Sequence, residues 1–276
     1  MSKRNKAVDI LLCLLKCVGY VLFWFLISNL VAIIGEVFLL ASHPGLDERE
    51  FLVLYYKSAT ALNVLANCIV IFIFGFFYSK KGIGLFERTS LKRVKPSLFI
   101  NTIIFGCAFL FVINVVLSLL SLIIPQSWTE MHDEYSSILL SGNEIVQFLA
   151  VGLVAPICEE IVFRGLVANT LSKKMHYWIA IVISALAFGL VHGNPLQFIY
   201  ATIMGIVLGW LFFKTKSLVP CVIFHMSFNI VSFLLSESNI SLIVLILAPI
   251  VVVIEVFVIS RICKKSAEND ENNKED

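Results

Sequence analysis

The sequence predicts an all-α polytopic membrane protein, a bundle of about eight transmembrane helices, and three observations carry that reading. Of the 276 residues, 59% are hydrophobic and 14% charged, whereas soluble domains average about 45–50% apolar and about 25% charged. The apolar residues fall in runs near 10–40, 58–78, 97–124, 145–168, 177–192, 196–213, 218–235 and 240–262. Most of these reach the ~17–25 residues a spanning helix needs. Alternating strand patterns are missing, so helices rather than a closed barrel must satisfy the backbone in lipid.

The first run follows Lys3, Arg4 and Lys6. It is far longer than the ~7–15 residue core of a cleavable signal and reads as a retained anchor. Between the second and third runs lie Lys80, Lys81, Arg88, Lys92, Arg93 and Lys95. Lys173 and Lys174 separate the fourth and fifth, Lys214 and Lys216 the sixth and seventh, and Arg261, Lys264 and Lys265 close the eighth. The loop 125–144 has no Lys or Arg, and neither do the breaks at 193–195 and 236–239; Arg49 and Lys57 are a mild exception in the first outer loop. Every second loop is therefore basic, which places both termini in the cytoplasm. The fifth and sixth runs are short for a full crossing.

A membrane domain is expected over residues 1–263, with its polar motifs concentrated at about 145–235. The polar tail 264–276 is expected to be disordered and cytoplasmic. Loop 125–144, with Trp128, His132 and Tyr135, suits a short interfacial helix. Ala201, Gly205 and Gly209 form a small-residue face for close helix packing. The seven cysteines are scattered and include no C-x-x-C pair, so they read as packing residues rather than a disulfide or thiolate metal framework. The net charge of +2 is accounted for by topology, and nucleic acid is not an expected partner.

Three charges interrupt the fourth apolar run: Glu159, Glu160 and Arg164. One such charge near the bilayer centre costs roughly 2.5–3.5 kcal/mol on insertion scales, so the cluster must pair, meet water or do chemistry. Residues i and i+4 share a helix face, and three pairs have this spacing: Glu160 with Arg164, Phe188 with His192, and His225 with Asn229. Glu160 and Arg164 suit an intrahelical ion pair, glutamate first. Glu159 points about 100° away and remains as the unpaired acid, a candidate general base. His192 could bond Glu159 or a water between them, and His225 with Asn229 offers two donors to a developing oxyanion. The set suggests hydrolysis of a peptide bond. Two imidazoles and a carboxylate (Glu159, His192, His225) are equally zinc-ligand candidates, although H-E-x-x-H is absent. A serine elbow is also missing. The lone acids Glu36 and Glu255 receive no role, and His43, His132 and His176 read as ordinary surface residues.

The order Glu159-Glu160-x-x-x-Arg164, Phe188-x-x-x-His192, His225-x-x-x-Asn229 resembles the CAAX-processing and bacteriocin-processing (CPBP/Abi) membrane proteases, which include the type II CAAX prenyl endopeptidase. The resemblance covers about residues 145–235. It implies that Glu159 activates water, His192 assists, and His225 with Asn229 holds the oxyanion, with Glu160 and Arg164 in support. The family is described both as zinc-dependent and as metal-free, so the implied cofactor is zinc or none, with a carboxylate-activated water favoured. A membrane-associated peptide or protein substrate is implied, within the bilayer of a bacterial plasma membrane.

Two other classes compete. One is a non-catalytic bacteriocin-immunity or signalling partner that binds a peptide in the same cavity. The other is a proton or ion transporter using the glutamates, although only the second half of this chain carries polar motifs. One geometric demand follows from the hydrolase reading. His192 lies about 23 Å along its helix from residue 177, and His225 about 10 Å from residue 218, at 1.5 Å per residue. They cannot meet if both helices start at the same depth; they can if helices four and five extend into the cytoplasm through 169–176 and the turn at 193–195 lies inside the bilayer.

Overall fold

A computed structural model describes residues 6–139, 142–235 and 241–275. The described residues form helices and turns without a strand. They are α1 (Lys6–Ser42), α2 (Glu48–Lys80), the single turn α3 (Leu85–Arg88), α4 (Pro96–Leu120) and α5 (Gln126–Leu139). Then follow α6 (Glu144–Leu171), α7 (Tyr177–Leu190), α8 (Pro195–Thr215), α9 (Val219–Leu234) and α10 (Leu242–Glu275). Six of these are long and apolar enough to cross a membrane, while α7 and α9 are shorter apolar helices. The polytopic all-α class stands.

Local sequence sets the boundaries. Asp47 and Glu50 form a reciprocal capping box that starts α2 well before the apolar run begins, at 2.8 Å and 3.2 Å. Asn143 accepts from the Ile145 and Val146 amides to begin α6, and Asn194, followed by Pro195, caps α8 through the Gln197 amide. Lys216, in the left-handed region at φ 54°, ends α8. With these stops α8 has 21 residues and is long enough to span, whereas α9 has 16. The sixth run is thus longer than its apolar stretch suggests, because polar caps lie outside it. The tail also departs from expectation: the backbone is helical to Glu275 rather than disordered from Lys264. Lys, Ala and Glu are good helix formers, and Lys264 faces Glu268 one turn on. Loop 125–144 does contain a helix, α5.

The centre of the bundle is α6 with α8. Each buries 44% of its most apolar window, against 17% for α1 and for α10, whose large apolar faces are turned outward. α7 packs along α8, with a Cβ at Gly205 or Gly209 only 2.9 Å from Ala185 or Ile181. The small-residue face therefore works as read. α4 lies against both α9 and α10, and a Cβ at Gly106 would meet the Phe224 carbonyl at 2.5 Å. Ser184 donates to the Phe163 carbonyl at 2.7 Å and pins α7 to α6. Between α7 and α8 the chain turns through Gly193, at φ 66°, a conformation glycine adopts without strain. Asn194 beside it is buried.

Candidate active site

α6 is not a uniform helix. Wide, i→i+5-bonded turns occupy Ala150–Val154 and Ile161–Ala168, and the six ordinary residues between them, Ala155–Glu160, carry both glutamates. Pro156 accounts for the first irregularity. It has no amide hydrogen, and the Ala155 amide bonds the Ala150 carbonyl. The Val151 carbonyl is thereby left without a helical donor, and Asn229 of α9 supplies one, its side-chain nitrogen donating at 2.9 Å. Wide turns of this kind recur at functional sites. Here one ties the motif of α9 to the motif of α6.

The two glutamates have different surroundings. Glu160 is wholly buried, and its Oε1 accepts from Arg164 at 2.7 Å and lies 3.0 Å from His225 Nδ1. The expected pair forms, but it has a third member. His225 faces both acids: its Nε2 stands 3.7 Å from Glu159 Oε2. Glu159 retains 14% side-chain exposure, because it faces a cavity of about 350 Å³ that His192, His225 and Asn229 also line. His192 donates through Nδ1–H to the Phe188 carbonyl, 2.8 Å away. All four expected cavity residues are thus brought to one hollow.

Phe188 is the common surface beneath them. Fully buried, it receives the edge of both imidazoles, with ring centroids at 5.0 Å for His192 and 5.8 Å for His225. The Arg164 guanidinium lies over its face at 4.5 Å, a favourable cation–π position. The two histidines therefore share one ring and one cavity.

Two cavity residues escape a sequence reading. His132 is no ordinary surface residue: α5 folds back over α2 and α8 and places it in the cavity wall, its ring edge-on to Tyr200 at 6.0 Å. Burial pushes its imidazole below the ordinary range, and Asp133 opposes that shift. Asn63 lines the same wall. It accepts from Asn67, which in turn accepts from the Trp24 indole, a polar chain running from α1 to the cavity. The i, i+4 asparagines within an apolar run were the available signal. Nothing in the sequence shows that α5 folds back.

Glu159, His192 and His225 supply the donor types of a catalytic zinc site. Nδ1 of each imidazole lies against an oxygen acceptor, which frees the Nε2 lone pairs and suits metal ligation. Among the described residues, however, no three His, Cys, Asp or Glu side chains converge closely enough to hold one ion. The donor types fit, the spacing does not, and no step below is routed through a metal.

A buried Glu–Arg–His cluster thus opens on a lined cavity inside a polytopic helical membrane protein. Residues 141–231 match the family model described as Rce1-like, Type II CAAX prenyl endopeptidase Rce1-like. The matched stretch contains Glu159, Glu160, Arg164, His192, His225 and Asn229. The chain is also similar to the protein named Putative membrane peptidase YdiL from Bacillus subtilis (strain 168), 30% identical over 84 residues. That alignment covers 30% of this chain and 34% of the relative, so it spans about a third of the relative's length. No solved structure matches the chain.

Proposed function

We propose that this protein is an intramembrane endopeptidase that hydrolyses a peptide bond of a membrane-associated peptide or protein with a water activated by Glu159. The observation that carries the reading is the position of His225 between two carboxylates. Nδ1 is held by Glu160, so Nε2 is aimed at Glu159 and the cavity. The 3.7 Å gap is too long for a direct hydrogen bond. A water lying alongside can bond both groups.

Glu159 takes a proton from that water as its oxygen attacks the substrate carbonyl. The oxyanion accepts hydrogen bonds from His225 Nε2–H and from the second amide hydrogen of Asn229, whose first is committed to Val151. Glu159 then returns the proton to the departing amine, which restores the starting carboxylate. A proton on His225 makes the quartet of Glu159, Glu160, Arg164 and His225 neutral in sum, which suits a low-dielectric site. His192, with Nδ1 held by the backbone, keeps Nε2 for the water or the leaving group. The apolar part of the cavity wall, including Met204, Phe228 and Phe233, suits an apolar peptide segment. Both termini are assigned to the cytoplasm by the loop charges.

The decisive experiment compares peptides from cells expressing the wild type with those from cells expressing Glu159→Gln. A fragment present only with the wild type, while the variant inserts and unfolds normally, supports hydrolysis; loss of a general base costs about 10²–10⁴ in rate. Unchanged peptides, with the phenotype retained, point to a binding protein. A parallel assay after chelation addresses zinc: restoration by zinc alone would replace the carboxylate-only scheme.

A further inference from the structure

We propose that a second cavity, remote from Glu159, holds the phosphate headgroup of an anionic phospholipid. It lies where the segment before α4, the end of α8 and the middle of α10 come together, and its volume is about 670 Å³. Six cations line it: Arg93, Lys95, Lys214, Lys216, Arg261 and Lys264. Among the described residues, no carboxylate lines it. Lys264 faces Glu268 at 3.8 Å, both side chains well exposed. The other five have no ion-pair partner among the described residues.

Topology explains why each of these loops is basic. It does not explain why three segments far apart in sequence aim their charges into one hollow, where like charges repel. A bound anion removes that repulsion. Lys95, which lines the hollow, starts α4 without a side-chain cap, and uncapped helix starts favour phosphate.

The surroundings select a lipid over a soluble phosphate. Leu98 and Phe257 also line the hollow. Phe257 is 59% exposed on the outward face of α10, beside Val253 and Ile254, so an acyl chain can run along α10 while its headgroup sits among the cations. Arg261 stacks over the Phe257 ring at 4.9 Å, at the junction of the two environments.

The test uses the full chain in detergent micelles, titrated with dioleoylphosphatidylglycerol, dioleoylphosphatidylcholine or sodium phosphate. Retained lipid is read by native mass spectrometry, and the unfolding midpoint is followed in parallel. Phosphatidylglycerol alone is expected to bind and to raise the midpoint. Each neutralised cation weakens that binding about fivefold, the equivalent of about 1 kcal/mol. Lys214→Gln/Lys216→Gln/Arg261→Gln therefore binds about 100-fold more weakly by the same scale, with its midpoint in phosphatidylcholine unchanged. Should the triple variant fold poorly, Lys216→Gln alone carries the fivefold expectation. Lys80→Gln/Lys81→Gln, outside the cavity, is expected to bind as the wild type does. An undiminished response in the cavity variants, an equal loss in the Lys80/Lys81 control, or full replacement by inorganic phosphate overturns the proposal.

Discussion

His225 Nδ1 lies 3.0 Å from Glu160 Oε1, across 65 residues of sequence and two helices. The contact makes Glu160 more than a counter-ion. One oxygen holds the Arg164 guanidinium and the imidazole together, so the charge balance of α6 and the orientation of α9 depend on the same carboxylate.

Removing the cation from this cluster should be costly. Arg164 and Glu160 are both wholly buried, and breaking a buried pair leaves a charge that costs about 3–5 kcal/mol. Arg164→Met is expected to lose stability of that order. Glu160→Gln/Arg164→Met should recover more than half of it, because glutamine is neutral and still offers an oxygen to His225. Unfolding midpoints in a fixed detergent check this. A double variant no more stable than Arg164→Met would show that the pair is not what the single change disrupts.

Pro156 is expected to be a residue of function rather than stability. Pro156→Ala restores an amide hydrogen to α6 and lets its wide turn relax toward regular helix, which withdraws the Val151 carbonyl from Asn229. The variant should unfold at or above the wild-type temperature yet cleave at least tenfold more slowly, since displacements of about 1 Å can cost 10²-fold. Asn229→Ala should lose activity by about 10²–10³ if the proposed oxyanion donor is removed. A Pro156→Ala enzyme with full activity would separate the irregular turn from catalysis.

Much of this site was legible because lipid makes polar residues conspicuous. Glu159, Glu160, Arg164, His192, His225 and Asn229 stand out against apolar neighbours, and i, i+4 spacing pairs Glu160 with Arg164 and Phe188 with His192 as found. The wiring between helices was not legible. The Glu160–His225 contact depends on how α6 and α9 pack, and the engagement of Asn229 with Val151 depends on a helical irregularity signalled only by one proline. Helix lengths failed where caps lay outside the apolar runs, as at Asp47 and Asn194. His132 was hidden for a related reason: an amphipathic segment in a loop does not reveal which surface it folds against.

The α5 helix should dock in a pH-dependent way. Burial holds the His132 imidazole below its ordinary value of 6.5, with Asp133 opposing, so the docked form binds protons less readily than the released one. The titratable groups that share its cavity are Glu159, His192 and His225, and Tyr200 packs edge-on. Docking free energy is therefore full above the released value near 6.5 and falls as pH drops below it, levelling off beneath the docked value. Hydrogen exchange across residues 126–139 should quicken in that acid window for the wild type. His132→Phe should exchange at a rate that changes with pH only as free amides do. Equal acid sensitivity in both proteins would assign the effect to another group.

Gly205 joins the packing of the bundle to the electrostatics of the site. A Cβ added there would stand 2.9 Å from the Ala185 Cα, a backbone atom that cannot swing aside, and 3.2 Å from Arg164 Nη2. Overpacking of a tight core costs typically about 1–3 kcal/mol, and Gly205→Ala must part α7 from α8 or displace the guanidinium. Either movement reaches Phe188, on which Arg164, His192 and His225 all rest. The expected result is a loss of stability in that range together with a fall in kcat and little change in KM, because the side chains disturbed lie beneath the reacting groups rather than along the apolar wall. Gly209→Ala, whose Cβ meets the Ile181 side chain at 2.9 Å, supplies the comparison: it should lose stability without the same fall in kcat. Similar kcat values for the two variants would break the link drawn here between the helix contact and the position of Arg164.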